Sequence, residues 1–219
     1  MTKNFKKYLI LGFLFFFPIF VYVFLSTGIN NFAKLPVLTY GVNDIVDLDG
    51  NLSKVSLKDN ISIVGFWGGD IENKKSEALN LNQKIYKRFY EFQDFQFVFL
   101  YNFEESKAIE DLKLELISGV GTDLKKWNFI PTSQSSINDV FNSFKTNIEL
   151  DENFSTPYVF IVDRDLSLRG RDDDEDTGML FGFNSQSVAE INNKMVDDVK
   201  IILAEYRLAL KKNDSLFNE

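Results

Sequence analysis

The sequence predicts an α/β domain, a central mixed sheet flanked by helices, behind one N-terminal membrane-spanning helix. Three observations carry that expectation. Eighteen consecutive residues, from Tyr8 to Leu25, hold no charge. Three apolar runs, ISIVGFW at 61–67, FQFVFLY at 95–101 and PYVFIV at 157–162, have the length and the β-branched and aromatic content of strands covered on both faces. Between and after them, apolar residues recur every three or four positions, as on one face of a helix.

The N-terminal run is long enough to cross a membrane. At 1.5 Å per residue it reaches about 27 Å, close to the hydrocarbon thickness of a bilayer. Phe13, Phe15, Phe16, Phe17, Phe20 and Phe24 lie in it and no polar face interrupts it, which argues against a buried helix of a soluble domain. Pro18 is tolerated in such a helix where neighbouring groups relieve the backbone. Lys3, Lys6 and Lys7 precede the run, against Lys34 alone just after it. That bias makes residues 1–7 a cytoplasmic basic tail, 8–25 the anchor in the inner (cytoplasmic) membrane, 26–34 a linker, and the remainder an outer, periplasmic-side domain. A cleaved signal peptide shares the basic start and would give a secreted domain. Its apolar stretch is usually shorter, however, and Ser26-Thr27-Gly28 is a poor cleavage site, so an uncleaved anchor is expected.

The domain is expected over 35–212, with a C-terminal tail at 213–219. Residues 45–48 (IVDL) and 55–57 (VSL), around Asp49-Gly50, suggest an N-terminal hairpin extension. The strand at 61–67 ends in Gly68-Gly69, and Ala78, Leu81, Ile85, Phe89 and Phe92 then mark one face of a helix over 72–92. After the 95–101 strand, Ile109, Leu112 and Leu116 mark a second helix, closed by Gly119 and Gly121. Asn128-Phe129-Ile130 suits a short strand. Ser136-Ile137-Asn138-Asp139 has capping-box character and opens a helix with Val140, Phe141 and Phe144. The 157–162 strand turns at Asp163-Arg164-Asp165 into another at 166–169. Ser187-Val188-Ala189-Glu190 forms a capping box for the last helix, whose apolar face runs Ile191, Met195, Val199, Ile202, Leu203, Tyr206 and Leu210. Lys211 and Lys212 complement the negative end of its dipole.

Composition excludes more chemistry than any motif supports. The chain has no cysteine and no histidine. Disulfide exchange and thiolate-based peroxide reduction are therefore closed to it, and so is a soft copper or zinc site. Three of the 24 basic residues precede the apolar run, so 21 face all 32 acidic residues in the remainder, a balance of −11. That argues against nucleic acid or an anionic membrane surface as a partner, and leaves a basic protein partner or divalent cations open. The densest charge cluster, RDDDED at 171–176, raises a calcium-stabilised structural module as one alternative, although its spacing is not that of an EF-hand and such runs are usually solvated. Asp70 and Glu72 raise another, an enzyme using carboxylates and hydroxyls, provided burial shifts their pKa values. No Gly-rich phosphate loop or GxSxG elbow is present, and no cofactor or metal is expected.

Strand–helix–strand–helix, then a helix, a strand hairpin and a closing helix, is the element order of a thioredoxin-like fold. A flavodoxin-like sheet would want a phosphate-binding loop after the first strand and would not explain the late hairpin. The anchor, IVDLDGNLSKVSLKD at 45–59, VGFWGGDIENK at 64–74 and YVFIVDRDLSLRGR at 158–171 together resemble the Sco/SenC family over roughly residues 40–210. That family comprises membrane-anchored thioredoxin-fold proteins linked to copper insertion into cytochrome oxidase, with two cysteines in the loop after the first core strand and a histidine before the later strand. The resemblance implies that the missing thiols fall within Gly69 to Lys74 and the missing histidine near Phe154-Ser155-Thr156. None of the family's functional residues carries over. Thr156-Pro157 resembles the proline that broader thioredoxin relatives place beside the active loop, usually cis; the residues leave cis and trans open. What the resemblance implies is a degenerate, redox-inactive and non-catalytic member, an envelope binding or assembly factor connected with respiratory oxidase biogenesis and acting on a protein partner. Its candidate interaction face is Trp67, Gly68, Gly69, Asp70, Glu72, Ser155, Thr156, Pro157 and Tyr158.

Overall fold

A computed structural model of the chain describes residues 3–26, 34–121 and 123–217. It divides into two units, Met1–Ala33 and Lys34–Glu219. The first is a single helix, α1 (Lys3–Ser26), with Pro18 inside it. Its segment Phe5–Phe24 has a mean hydropathy of 2.1, with none of that surface buried against protein. It is apolar and long enough to cross a bilayer. The helix begins inside the expected basic tail, so Lys3, Lys6 and Lys7 belong to its first turns. Residues 27–33 of the expected linker lie outside the described residues.

The second unit contains, in order, β1 (Val37–Tyr40), β2 (Ile61–Gly68), the helical run α2 (71–89), β3 (Phe95–Asn102), α3 (Ser106–Val120), β4 (Trp127–Thr132), α4 (Gln134–Ser143), β5 (Tyr158–Val162), β6 (Ser167–Arg169), β7 (Arg171–Asp174), β8 (Gly178–Leu180), β9 (Phe183–Asn184) and the helical run α5 (188–217). The main sheet has the order β1-β6-β5-β2-β3-β4, with β9 also paired to β5, while β7 and β8 form a separate ribbon. β2 runs parallel to β3 and β3 to β4; β5 is antiparallel to β2 and to β6. A mixed sheet with helices on both faces is therefore what the chain builds.

Alternation along the central strands divides the core in two, which is why these strands read as continuous apolar runs. Ile61, Ile63 and Trp67 of β2, with Phe95, Phe97 and Phe99 of β3, pack under α2, α3 and α5. Val64 and Phe66, with Val98, Leu100, Phe160 and Val162, pack on the other face against α4 and the segment that follows β1. Gly65 leaves room for an aromatic ring, because a Cβ there would lie 2.4 Å from Phe99.

Four expectations are corrected. The hairpin at 45–57 does not form; the segment is a series of turns, and the strand at this end is β1, paired antiparallel to β6. Polar side chains take over the backbone groups that a ladder would have used. Asn51 donates through Nδ2 to the Ile45 and Val55 carbonyls at 2.8 and 2.6 Å and accepts from the Val55 N–H at 2.9 Å. Asp44 Oδ1 accepts from the Ile45 and Leu57 N–H groups, each at 2.7 Å. Ile45 and Leu57 still reach the core.

The helix predicted over 72–92 ends at Phe89, and it opens with a 3-10 turn (Ile71–Lys74) and contains a π-turn (Asn82–Tyr86). Helix α4 opens before Ser136: its N-cap is Ser133, whose Oγ accepts from the Ser136 N–H at 3.2 Å. At α5 the Ser187 Oγ accepts from the Glu190 N–H at 3.2 Å, but Glu190 reaches the Asn184 N–H at 2.8 Å, so the box is only half made. That helix continues to Phe217, which places Lys211 and Lys212 inside it and most of the expected 213–219 tail in helix. The second helix, by contrast, ends where glycine predicts, with Gly121 at φ +66 and its N–H donating to Ile117 at 3.0 Å.

Candidate functional site

The loop after β2 is built on a residue that only glycine can supply. Gly68 has φ +52, and a Cβ there would lie 1.9 Å from the Asn153 carbonyl oxygen. The close approach lets the Gly69 N–H donate to Asn153 at 2.9 Å, while the Thr156 N–H donates to the Phe66 carbonyl at 2.9 Å. The two halves of the candidate face, 67–72 and 155–158, are thereby joined. Much of that face is nevertheless interior. Trp67 is 0% exposed and stacks on Phe99 with ring centroids 4.0 Å apart, so it belongs to the core and offers no surface. Gly68, Ser155 and Thr156 are buried too; Gly69, Asp70, Pro157 and Tyr158 are half-buried, and Glu72 is exposed. No peptide bond among the described residues is cis, so Thr156-Pro157 is trans. Pro157 immediately precedes β5, whose ladder begins at Tyr158.

Beneath this loop lies an ion pair. Lys74 Nζ is 3.2 Å from Glu77 Oε1, with the two side chains 4% and 1% exposed. The Thr156 carbonyl is 3.5 Å from the same ammonium. Glu77 also accepts from Gln186 Nε2 at 2.9 Å, and the single hydrogen of Ser185 Oγ is shared between Glu77 Oε2 at 2.9 Å and the Pro157 carbonyl at 2.6 Å. Lys74 falls within the stretch where the resemblance places thiols and Thr156 within its histidine slot; both are tied into one hydrogen-bonded network. Buried charges persist only when paired and hydrogen-bonded, and this pair is both. The spacing Lys74-Glu77 is visible in the sequence, but nothing in the sequence links it to Ser185 and Gln186.

A cleft of about 240 Å³ opens at the C-terminal ends of the parallel strands β3 and β4, lined by Asn102, Phe103, Glu104, Thr132, Ser133 and Gln134. It adjoins the loop, since a Cβ on Gly69 would lie 3.1 Å from Asn102 Nδ2. Asn102 Oδ1 and Thr132 Oγ1 are buried without a hydrogen-bond partner among the described residues, and Thr132 as a whole is only 1% exposed. Buried polar atoms normally find partners, so two orphans in one small cleft are uncommon. Phe103 is 49% exposed at its rim. Burial pushes the Glu105 carboxyl above the usual carboxylate range, and the charges of Glu72, Asp70 and Glu104 add to that rise. None of these four carboxylates forms an ion pair among the described residues. Asn102 to Glu105 and Thr132 to Gln134 were missed in the sequence. The available signal was a pair of acidic residues straight after a buried strand, at the strand end where open α/β sheets bind ligands.

No protein-family model matches this sequence, and no curated protein does. Solved structures do match it. BsSco, a member of the Sco family of cytochrome c oxidase assembly proteins in which a disulfide switch was identified, superposes with a TM-score of 0.52 at 16% identity, over 78% of this chain and 98% of its own. A SCO1/SenC family lipoprotein from Bacillus anthracis str. Ames gives a TM-score of 0.52 at 13% identity, over 78% of this chain and 99% of its own. The chain shares the thioredoxin-like fold of these two structures.

The residues at the loop after β2 do not fit copper. Gly69, Asp70, Ile71, Glu72, Asn73 and Lys74 offer no thiolate or imidazole, and the Lys74 ammonium stands in the network instead. Met195 is buried in the core and Met179 lies on β8, so methionine supplies no cluster. The acidic run 171–176 is also engaged internally. It forms β7 and the turn to β8; Lys194 Nζ sits 2.7 Å from both Asp174 and Asp176, and Arg171 pairs with Asp198 at 2.8 Å. Burial pushes the Asp174 carboxyl up, but the Lys194 ammonium and the hydrogen bonds from Asp176 and Thr177 outweigh it and hold the carboxyl below the usual range. Burial raises Asp198, against the pull of Arg171. Among the described residues, no group of three or more acidic side chains is arranged to hold a metal ion.

Proposed function

We propose that this chain is a membrane-tethered Sco-type domain that works by binding rather than by redox chemistry, as an assembly factor for an envelope complex. One observation carries the reading: the loop that would hold the thiols is not degraded but rebuilt, with Gly68 fixing its turn and the buried Lys74–Glu77 pair bracing it against Thr156 and, through Ser185, Pro157. A loop that had merely lost its role would have no need of an ordered, buried charge network, which contributes little net stability over apolar packing. The face it presents comprises Gly69, Asp70, Glu72, Pro157 and Tyr158, extended by Phe103, Glu104 and Glu105.

The Sco family to which BsSco belongs is one of cytochrome c oxidase assembly proteins, which supports assembly as the setting. Helix α1 acts as an uncleaved anchor in the cytoplasmic membrane, and the excess of Lys3, Lys6 and Lys7 over Lys34 directs the domain outward. The test is cross-linking and copurification of the full-length chain from detergent-solubilised membranes, comparing wild type with Asp70→Asn/Glu72→Gln. A defined envelope partner retained by wild type and lost by the variant is expected. A partner held equally by both would remove this face from the function. Thiol-independent oxidoreductase activity in the purified chain would remove the non-catalytic reading itself.

A further inference from the structure

We propose that the cleft at the ends of β3 and β4 receives an arginine side chain of the protein partner. The inference rests on the binding role argued above and names the group that the face recognises. Its occupant is defined by what the cleft leaves unsatisfied. Asn102 Oδ1 can only accept a hydrogen bond, and Thr132 Oγ1, in a residue 1% exposed, has no partner among the described residues. A ligand must therefore bring a donor for Asn102 Oδ1, and a second donor would be accepted by the Thr132 hydroxyl oxygen.

Charge decides the sign of that ligand. The N-terminus of α4 would favour an anion, but Ser133 Oγ already accepts from the Ser136 N–H, and Glu104 lines the cleft beside Glu105, Glu72 and Asp70. Those carboxylates have no ion-pair partner among the described residues, so a cation completes them and an anion would be repelled. A metal ion is a poor candidate, because no group of acidic side chains among the described residues is arranged to hold one. A guanidinium fits each requirement. It is planar, carries five donors in a rigid fork, and stacks on aromatic faces; here Phe103, 49% exposed at the rim, supplies the face. Lysine would satisfy the charge but offers neither the fork nor the stacking.

The experiment uses the full-length chain in lipid nanodiscs and two fluorescent Gly-Ser peptides, one with a single arginine and one with citrulline, its neutral isostere, at the same position. The arginine peptide should bind saturably, and the citrulline peptide about tenfold or more weakly. Thr132→Val, which changes no charge, should weaken the arginine peptide by a similar factor, while Thr132→Ser, which keeps the hydroxyl, should bind as wild type. Glu104→Gln/Glu105→Gln should weaken it and flatten its salt dependence. Equal binding of the two peptides overturns the proposal. So does Thr132→Val behaving as wild type when Glu104→Gln/Glu105→Gln does not, since that pattern is electrostatic attraction to an acidic surface alone. Should the peptides fail while Asp70→Asn/Glu72→Gln still releases the copurified partner, the arginine inference falls and the binding reading stands. Should neither respond, both fall.

Discussion

Replacing Lys74 by methionine tests whether the buried pair braces the loop. Methionine matches the length of the lysine stem and removes the charge together with the donors to Glu77 and Thr156. Glu77, 1% exposed at the side chain, would keep Ser185 Oγ and Gln186 Nε2 at 2.9 Å each but lose the one cation paired with it among the described residues. Removing one partner of a buried pair costs about 3–5 kcal/mol, because the remaining charge stays desolvated. For a domain of this size each kcal/mol lowers Tm by about 2–4 °C, so the expected fall is about 6–20 °C. The double variant Lys74→Met/Glu77→Leu removes both charges, and its stability should return to within about 1 kcal/mol of wild type, as apolar replacements of buried pairs commonly do. Urea unfolding of the full-length chain in detergent measures all three, with the fluorescence of Trp67 and Trp127, both buried, as the signal. A Lys74→Met variant within about 1 kcal/mol of wild type would show that the pair is not desolvated as described. A double variant as unstable as the single would show that Lys74 acts through Thr156 rather than through Glu77.

Three further outcomes are expected. Gly68→Ala should destabilise by more than about 2 kcal/mol in the same urea assay, since an alanine at φ +52 is strained and its Cβ would lie 1.9 Å from the Asn153 oxygen. Asp174 is held below the usual range in the fold, so its contribution is fully present above its unfolded value, about 3.9, and is lost as pH falls through the lower folded value. Wild type should therefore exceed Asp174→Asn in stability at neutral pH, and Tm of the two should converge on acidification below about pH 4; parallel curves would contradict the Lys194–Asp174 geometry. Finally, Tm in millimolar calcium and in EDTA should coincide, because Asp174 and Asp176 already hold Lys194 and Asp198 holds Arg171. A rise of several degrees in calcium would restore the calcium-stabilised module.

The sheet was legible because its central strands are buried on both faces. Runs such as 61–67 and 95–101 need no partner to be recognised: each residue faces one of two apolar layers, so the whole run is apolar. The segment at 45–57 misled for the opposite reason. Ile45, Leu57 and an Asp-Gly pair fit a hairpin, yet the same apolar side chains reach the core from turns once Asn51 and Asp44 satisfy the backbone. Apolar spacing reports what is buried, and it reports secondary structure only where no side chain competes for the backbone. The cap of α4 shows this on a smaller scale: Ser133 and Ser136 are both capping residues by type, and the choice falls on Ser133 because it is there that the chain is still extended, at φ −74 and ψ 155, as it leaves β4.

The candidate face was only half legible, and the missing half follows from how parallel strands are ordered. Asp70 and Glu72 could be found because they follow a strand that the sequence marks plainly. Glu104, Glu105 and Asn102 follow another, and Thr132 a third, but only the parallel pairing of β2 to β3 and of β3 to β4 brings these strand ends side by side. In the sequence the loop at 69–74 resembles thiol-bearing loops and differs from them by having no cysteine. In three dimensions Asp70 and Glu72 of that loop lie near Glu104 and Glu105, all four without ion-pair partners among the described residues, beside the unpartnered Asn102 Oδ1 and Thr132 Oγ1. The arrangement draws acidic and hydrogen-bonding residues from three separate strand ends. Like charges gathered without a counterion destabilise a fold, and a cationic partner that completes them would relieve that cost.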